Sequence, residues 1–213
     1  MKQNHFSISI ILFLAFTSAC ATNKHVESQL ENGSLLFVSA NNQALSQAID
    51  RVTNRTKTAN YSHVALVEKV GANFWVIHAS AKNGVERISL NQFMKQSKNR
   101  NVDVYALKTE YENSIPKAIE TSKTMLGKPY NFSYVLNDSS FYCSDFIERC
   151  FAADTIFHLE LMTFVNPTTK QIDSVWTAYY QKLGVQVPEG KLGCNPNGLA
   201  NSTKLHFVKR VQH

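Results

Sequence analysis

No apolar stretch in this sequence is long enough to cross a bilayer, no cluster of basic residues forms a run, and no cysteine–histidine spacing suits zinc. The first absence excludes a spanning helix. The second weakens any nucleic-acid reading: Lys123, Lys128, Lys191, Lys204, Lys209 and Arg210 are scattered and carry no nucleic-acid motif, although the net charge is +6. The third leaves no metal expected, and nothing calls for an organic cofactor. Internal repeats and low-complexity tracts are also missing, which excludes solenoids and long linkers. Charged residues make up only 18% of the chain against 44% hydrophobic, a balance that builds a folded core rather than a disordered chain.

Cysteine is scarce, with four in 213 residues. Cys20 stands apart from the rest. Lys2 precedes an apolar run from Ile8 to Phe16, and Thr17-Ser18-Ala19 then leads to Cys20. This is the layout of a secretory signal over residues 1–20. Cleavage before Cys20 would leave a cysteine to be lipidated; cleavage at Ala19-Cys20-Ala21 would release a soluble protein. The lipoprotein is the favoured expectation, with residues 21–32 as a tether and 33–213 as one folded domain. Such a protein would sit in the bacterial cell envelope, either anchored to a membrane through Cys20 or secreted in soluble form. Cys143, Cys150 and Cys194 remain, an odd number, so at least one thiol is expected to be free unless it pairs with another chain. Cys143 and Cys150 fall on one expected helix, about 10 Å apart along its axis, too far for a disulfide. A Cys150–Cys194 bridge is left open.

Periodicity orders the rest. Ser34–Val38 reads as a buried strand and Ala44–Val52 as an amphipathic helix. Ser62–Val70 and Phe74–Ala79 read as a hairpin around Gly71-Ala72-Asn73. Asn83-Gly84 is a turn signal that leads into Val85–Ile88. A helical turn over Leu90–Met94 and a strand over Val102–Leu107 follow. Ile115–Leu126 is an amphipathic helix stopped by Gly127 and Pro129, and Phe141–Phe151 is a core-facing helix. Trp176, Tyr179 and Tyr180 share a helical spacing. Pro188–Gly198 reads as a loop, and Leu205–Val208 as the closing strand. Strands lead and helices trail, which predicts an α+β fold with an antiparallel sheet packed against helices.

Three residues form a chemical constellation. His63 opens one strand and His78 ends the next, so the hairpin can set them side by side. Cys143 opens a helix, where free N–H groups and the dipole favour a thiolate. An imidazole beside that thiol would take its proton and later protonate a leaving amine, and a second polar group would fix the tautomer. Taken singly, each residue is more often a packing element: a buried cysteine fills space, and a strand-end histidine is usually satisfied locally.

The blocks Gly33–Phe37, Ser62-His63-Val64-Ala65-Leu66-Val67, Val76-Ile77-His78-Ala79, Leu126-Gly127-Lys128-Pro129-Tyr130 and Phe141-Tyr142-Cys143-Ser144-Asp145 resemble the YiiX/YebB-like cysteine hydrolases. These are circularly permuted relatives of NlpC-type peptidases with a papain-like core, and the order His before Cys matches the permuted form. The resemblance covers roughly residues 33–208. It implies Cys143 as nucleophile, His63 as base and His78 as the orienting group, at a position where many members carry Glu. Tyr142, Ser144 and Tyr130 become candidates for substrate contact or the oxyanion hole, and Asn131 stands where relatives often have Asp. The implied activity is hydrolysis of an amide bond, in cell-wall or related peptides. The alternatives are an acyl-transfer or thioesterase enzyme acting on acyl groups, and an envelope module that binds wall fragments with little catalysis.

Overall fold

In a computed structural model, residue 28 and residues 30–53 and 60–211 are described. The signal segment and Cys20 lie outside the described residues. The elements run in order β1 (Leu35–Ser39), α1 (Ala44–Thr53), β2 (Tyr61–Val70), β3 (Asn73–Ser80), β4 (Gly84–Ser89), α2 (Leu90–Gln96), β5 (Val102–Leu107), α3 (Ile115–Thr124), α4 (Cys143–Phe151), β6 (Glu160–Leu161), α5 (Ser174–Leu183), β7 (Leu192–Gly193), α6 (Pro196–Ala200) and β8 (Leu205–Val211). Six strands form one antiparallel sheet in the order β4-β3-β2-β1-β5-β8, and β6 pairs with β7 in a separate two-stranded ribbon. Among the described residues no helix is long and apolar enough to cross a membrane.

β1 lies inside the sheet and is covered on both faces, which is why Leu35–Val38 is apolar without alternation. Leu35, Phe37, Val64, Leu66 and Ile77 point to one face and pack with α3 and α4 through Ala118, Phe146 and Ile147. Leu36, Val38, Ala65, Val67 and Val76 point to the other and pack with Phe93 and Met94 of α2. Leu30 is buried in this second layer, so the folded domain begins before Gly33, inside the segment read as tether. A third cluster joins α1 to α5 through Ala48, Trp176 and Tyr180.

Two irregularities shape the region of interest. The β1–β2 ladder pairs Val38 with His63 and then Ser39 with Tyr61, so Ser62 is bulged out. On the other side of β2, pairing with β3 runs from Val70–Asn73 only as far as Leu66–Ile77. Beyond that point, towards His63, the two strands part. The link between α3 and α4 docks on β4: Val85 N–H donates to Lys128 O at 2.8 Å, and Gly127 N–H donates to Val85 O at 2.9 Å. Gly84 permits this approach. Its φ is +72°, and a Cβ there would collide with the Lys128 carbonyl.

The stretch Pro188–Gly198 departs from the loop expected of it. It contains β7 and the start of α6, whose N-cap Asn195 accepts from Gly198 N–H and whose first turn opens on Pro196. Cys150 and Cys194 are both free thiols, so the open question of a bridge between them is answered in the negative.

Candidate active site

The β2–β3–β4 meander brings two histidines and a carboxylate into line. His63 Nε2 lies 2.8 Å from His78 Nδ1. His78 stands directly across from Glu86 in the β3–β4 ladder, with Nε2 3.3 Å from Glu86 Oε1, at a geometry short of a well-formed hydrogen bond. Glu86 Oε2 in turn accepts from Asn83 Nδ2 at 2.7 Å. Phe93 of α2 holds both rings: it stacks on His63 and meets His78 edge-on. Burial pushes His63 well below the ordinary histidine value, helped by the facing charges of His78 and Arg100. Burial also takes His78 down to about 4 against the pull of Glu86. Both rings are therefore neutral near pH 7, and one tautomer satisfies the whole line. His78 keeps its proton on Nε2, facing Glu86, and accepts on Nδ1. His63 carries its proton on Nε2 and leaves Nδ1 as a free base.

Cys143 is the first residue of α4, and its N-cap Tyr142 supplies no side-chain cap. The uncapped N–H groups of Cys143 and Ser144 are aimed at the sulfur, together with the N–H of Val64. Val64 can spare its N–H because β2 and β3 have parted there. Arg100 adds a cationic charge that favours the thiolate. Its guanidinium is fixed by donation to Ser39 O and to Ser62 Oγ, both at 2.7 Å. Burial outweighs all of these and pushes the thiol up to about 11, so the resting sulfur is protonated and needs a base.

The register assigns His63 to the α2 face of the sheet, with Val38, whereas α4 covers the opposite face. Cys143 reaches the gap between β2 and β3 from one side, and His63 borders it from the other. The sulfur touches the backbone of the residue next to His63. Among the described residues no hydrogen bond joins the Cys143 sulfur to either imidazole, and none engages His63 Nδ1. The structure thus brings His63 and His78 into direct contact and brings Cys143 alongside His63 without closing the thiol–imidazole bond. Such bonds are often long in proteins without substrate.

A cavity opens beside Cys143, walled by Ile49 and Val52 of α1, by Met162 and Phe164, and by Tyr134 and Trp176. Tyr134 has a φ of +57°, a conformation that bulky residues rarely adopt. Its ring is clamped against Tyr142, Trp176 and Tyr179. Tyr130 lies beside Tyr134 in the cavity wall and within the electrostatic reach of Cys143. Burial holds its hydroxyl well above the usual tyrosine value, so it stays a proton donor.

The family described as permuted papain-like amidase enzymes, YaeF/YiiX, C92, matches residues 29–209. The chain belongs to this family. Among solved structures, the chain is similar to one described as the crystal structure of metalloprotein yiiX from Escherichia coli O157:H7. The TM-score is 0.67 at 20% identity, covering 87% of this chain and 99% of that one. No curated protein matches. The word metalloprotein is said of the E. coli protein. In this amidase-family chain, among the described residues, no group of three or more His, Cys, Asp or Glu side chains is placed to hold a metal ion.

Membership gives the remaining side chains a frame. Tyr142 is buried and its hydroxyl accepts from Cys194 N–H at 3.1 Å; Ser144 Oγ donates to Cys194 O at 3.1 Å. These two side chains clasp β7 onto the start of α4. Both also border the cavity beside Cys143; Ser144 offers the sulfur its backbone N–H, while its hydroxyl is held by Cys194 O. Asn131, the position where relatives often carry Asp, braces the loop that presents Tyr134. It donates to Val135 O and accepts from the backbone N–H and hydroxyl of Ser133. Sequence reasoning missed Glu86, Arg100 and Tyr134. Glu86 was masked by the turn: a two-residue Asn83-Gly84 turn would set Ser89 opposite His78, whereas the loop is 81–83, Ser80 pairs with Gly84, and Glu86 comes opposite His78. Arg100 and Tyr134 lie outside helices and strands, and nothing local marks them.

Proposed function

We propose that the protein is a thiol-dependent amide hydrolase with Cys143 as nucleophile, His63 as base and His78 as the group that fixes the His63 tautomer. The single observation that carries this reading is the imidazole line. His63 Nε2 is committed to His78, which leaves Nδ1 as the base of the ring, and the Cys143 sulfur at the helix N-terminus accepts from the N–H of Val64, the residue next to His63.

In the proposed reaction His63 Nδ1 swings onto the thiol and takes its proton. Sγ attacks the amide carbonyl carbon, forming the C–S bond and a tetrahedral oxyanion. The Cys143 N–H and the Tyr130 hydroxyl are the donors offered to that oxygen. Collapse breaks the C–N bond, and the proton on His63 leaves with the amine. A water molecule then gives a proton to His63 and attacks the thioester; the carboxylic acid departs and Cys143 recovers its thiol. His78 and Glu86 support the imidazolium through both halves.

The test is alkylation of Cys143 by iodoacetamide, followed by intact-protein mass. Labelling near pH 7 that collapses in His63→Ala supports the enzyme. Labelling that ignores His63, or a sulfur inert at every pH, returns the protein to the class of wall-binding modules. Location is proposed from the amino-terminal sequence alone: an envelope lipoprotein modified at Cys20. Cys20→Ser would abolish incorporation of labelled fatty acid if the anchor exists. Wall peptides are one candidate substrate.

A further inference from the structure

We infer that Arg100 and Ser62 form a carboxylate site on the amine side of the scissile bond. The amide cleaved is then one whose departing amine carries a carboxylate, as an amino acid or the last residue of a peptide does. This rests on Cys143 as nucleophile and His63 as base, and adds which amides they act on.

Arg100 is set apart by its partners. Arg51, Arg87, Arg149 and Arg210 each end on a carboxylate, those of Asp173, Glu68, Asp145 and Asp103. Among the described residues Arg100 meets none. Its guanidinium ends on two neutral oxygens, Ser39 O through Nε and Ser62 Oγ through Nη2. Burial works against that uncompensated charge. A guanidinium carries about five N–H donors in one planar fork, and the two bonds leave Nη1 unengaged. An anion is the partner those donors lack.

The position of the cation fits the reaction. The loop that carries Arg100 follows α2, turns at Asn99 with a φ of +65°, and is tied to the end of β1, where Ser39 N–H donates to Asn101 O at 2.9 Å. Arg100 is thereby held against the β1–β2 bulge, within electrostatic reach of the Cys143 sulfur and of His63. Ser62, the bulged residue, lines the cavity together with Cys143. Its oxygen accepts from Arg100, and its own proton has no acceptor among the described residues. A hydroxyl donor polarised by a cation thus stands beside an open guanidinium fork. Both lie on the histidine side of the sulfur, and the amine departs on that side because His63 gives it a proton. Sγ bonds the acyl carbon, the C–N bond breaks, and the nitrogen takes the His63 proton while its carboxylate stays on Arg100; water then hydrolyses the thioester. Arg100 also opposes positive charge on His63, and a carboxylate bound to Arg100 cancels that opposition while His63 holds the proton meant for the amine.

The experiment compares N-iodoacetylglycine with its carboxamide on the full chain, two reagents that differ only in charge at the amine end. Mass spectrometry gives the alkylation rate of Cys143 by each, divided by its rate with free cysteine. The site predicts a preference of roughly tenfold for the carboxylate, the worth of hydrogen bonds to a charged group. Arg100→Gln should bring the ratio close to parity. Arg100→Lys keeps the charge but not the fork and should recover only a small part. Ser62→Ala leaves Arg100 in place, removes the hydroxyl, and should reduce the preference without abolishing it; with the parent ratio it decides the matter if Arg100→Gln does not fold. Parity in the parent protein, or a preference that survives Arg100→Gln, would overturn the site while leaving Cys143 as nucleophile. A preference kept in full by Arg100→Lys would also overturn it, in favour of a diffuse field. Absence of labelling at Cys143 by either reagent would instead overturn the nucleophile, and the carboxylate site with it.

Discussion

The imidazole side of this site and its thiol side are built in opposite ways. His63, His78 and Glu86 come from three consecutive strands of one meander, and Phe93 follows on the next helix. Ladder register sets His78 opposite Glu86, and His63 reaches His78 across the parted ends of β2 and β3. The thiol side draws on α1, on the loop before α4, on α4 itself, and on the segments around Met162 and Cys194. Its shape depends on contacts between residues far apart in the chain. The difference is chemical too. Burial keeps the histidines neutral and able to accept a proton, and the same burial keeps Cys143 protonated and inert until a base arrives. An acid–base line built from neighbouring strands faces a pocket built from distant segments, and reaction needs the thiol and the imidazole to meet.

Removing the base tests that division most severely. His63→Ala should lower Cys143 alkylation near pH 7 by about 10²- to 10⁴-fold, the usual worth of a positioned base. Above the thiol value of about 11, alkylation should match the parent protein, because the thiolate then forms unaided. A loss that persists at high pH would mean that His63 shapes the thiol side as well. Next comes the seam where the α3–α4 link docks on β4. Gly84→Ala forces a side chain into a positive φ and against the Lys128 carbonyl. It should cost about 1–3 kcal/mol of stability, read from denaturant unfolding.

Glu86→Gln probes the far end of the imidazole line. Glutamine can still accept from His78 Nε2–H but carries no charge. The His63 imidazolium then loses support, its pKa falls, and the acid limb of the alkylation profile should move to lower pH. A change of roughly tenfold in rate on that limb corresponds to one pKa unit. A glutamine variant with an unmoved limb would show that the carboxylate holds β4 in place rather than tuning the base.

The smallest effect is in the pH dependence of stability, where the two sides should pull in opposite directions. The folded-state values of His63 and His78 are depressed, so the unfolded chain binds more protons than the native one below the ordinary value of 6.5. Their contribution is complete above 6.5 and is lost as pH falls from there towards about 4. Asp145, in the first turn of α4, is fully buried, and burial raises it to about 7 from an ordinary 3.8. Its contribution is complete below 3.8 and is lost as pH rises from there to about 7. Thermal melts of Asp145→Asn should therefore gain stability relative to the parent as pH rises to 7, and His78→Gln should flatten the acid side.

Much of this was legible in the sequence because the signals were local. The strand at Leu35, the β2–β3 hairpin and the α4 helix starting at Cys143 all appear where the sequence pattern put them; the turn before β4 falls at 81–83, with Gly84 already paired to Ser80. A hairpin between β2 and β3 was enough to bring the histidines near each other, although the ladder ends before either of them. The misses share a cause. Pro188–Gly198 looked like a loop because Pro, Gly and Asn dominate it, yet Asn195 and Pro196 are the cap and first turn of a short helix stabilised by docking. Tyr142 and Ser144 border the cavity beside Cys143, and their hydroxyls also bond Cys194, a residue whose position no local pattern announces.

The sequence by itself determined the α+β order, the histidine hairpin and a cysteine at a helix start. Those properties arise from backbone geometry over a few residues, where a period of two or of three to four is enough. Only the tertiary structure decided that the sulfur meets the parted edge of β2, that Arg100 and Glu86 complete the electrostatics, and that a mainly apolar cavity lies beside the thiol. Each of these depends on contacts between residues distant in the chain, and the free energy that fixes such contacts comes from the packing of the whole molecule.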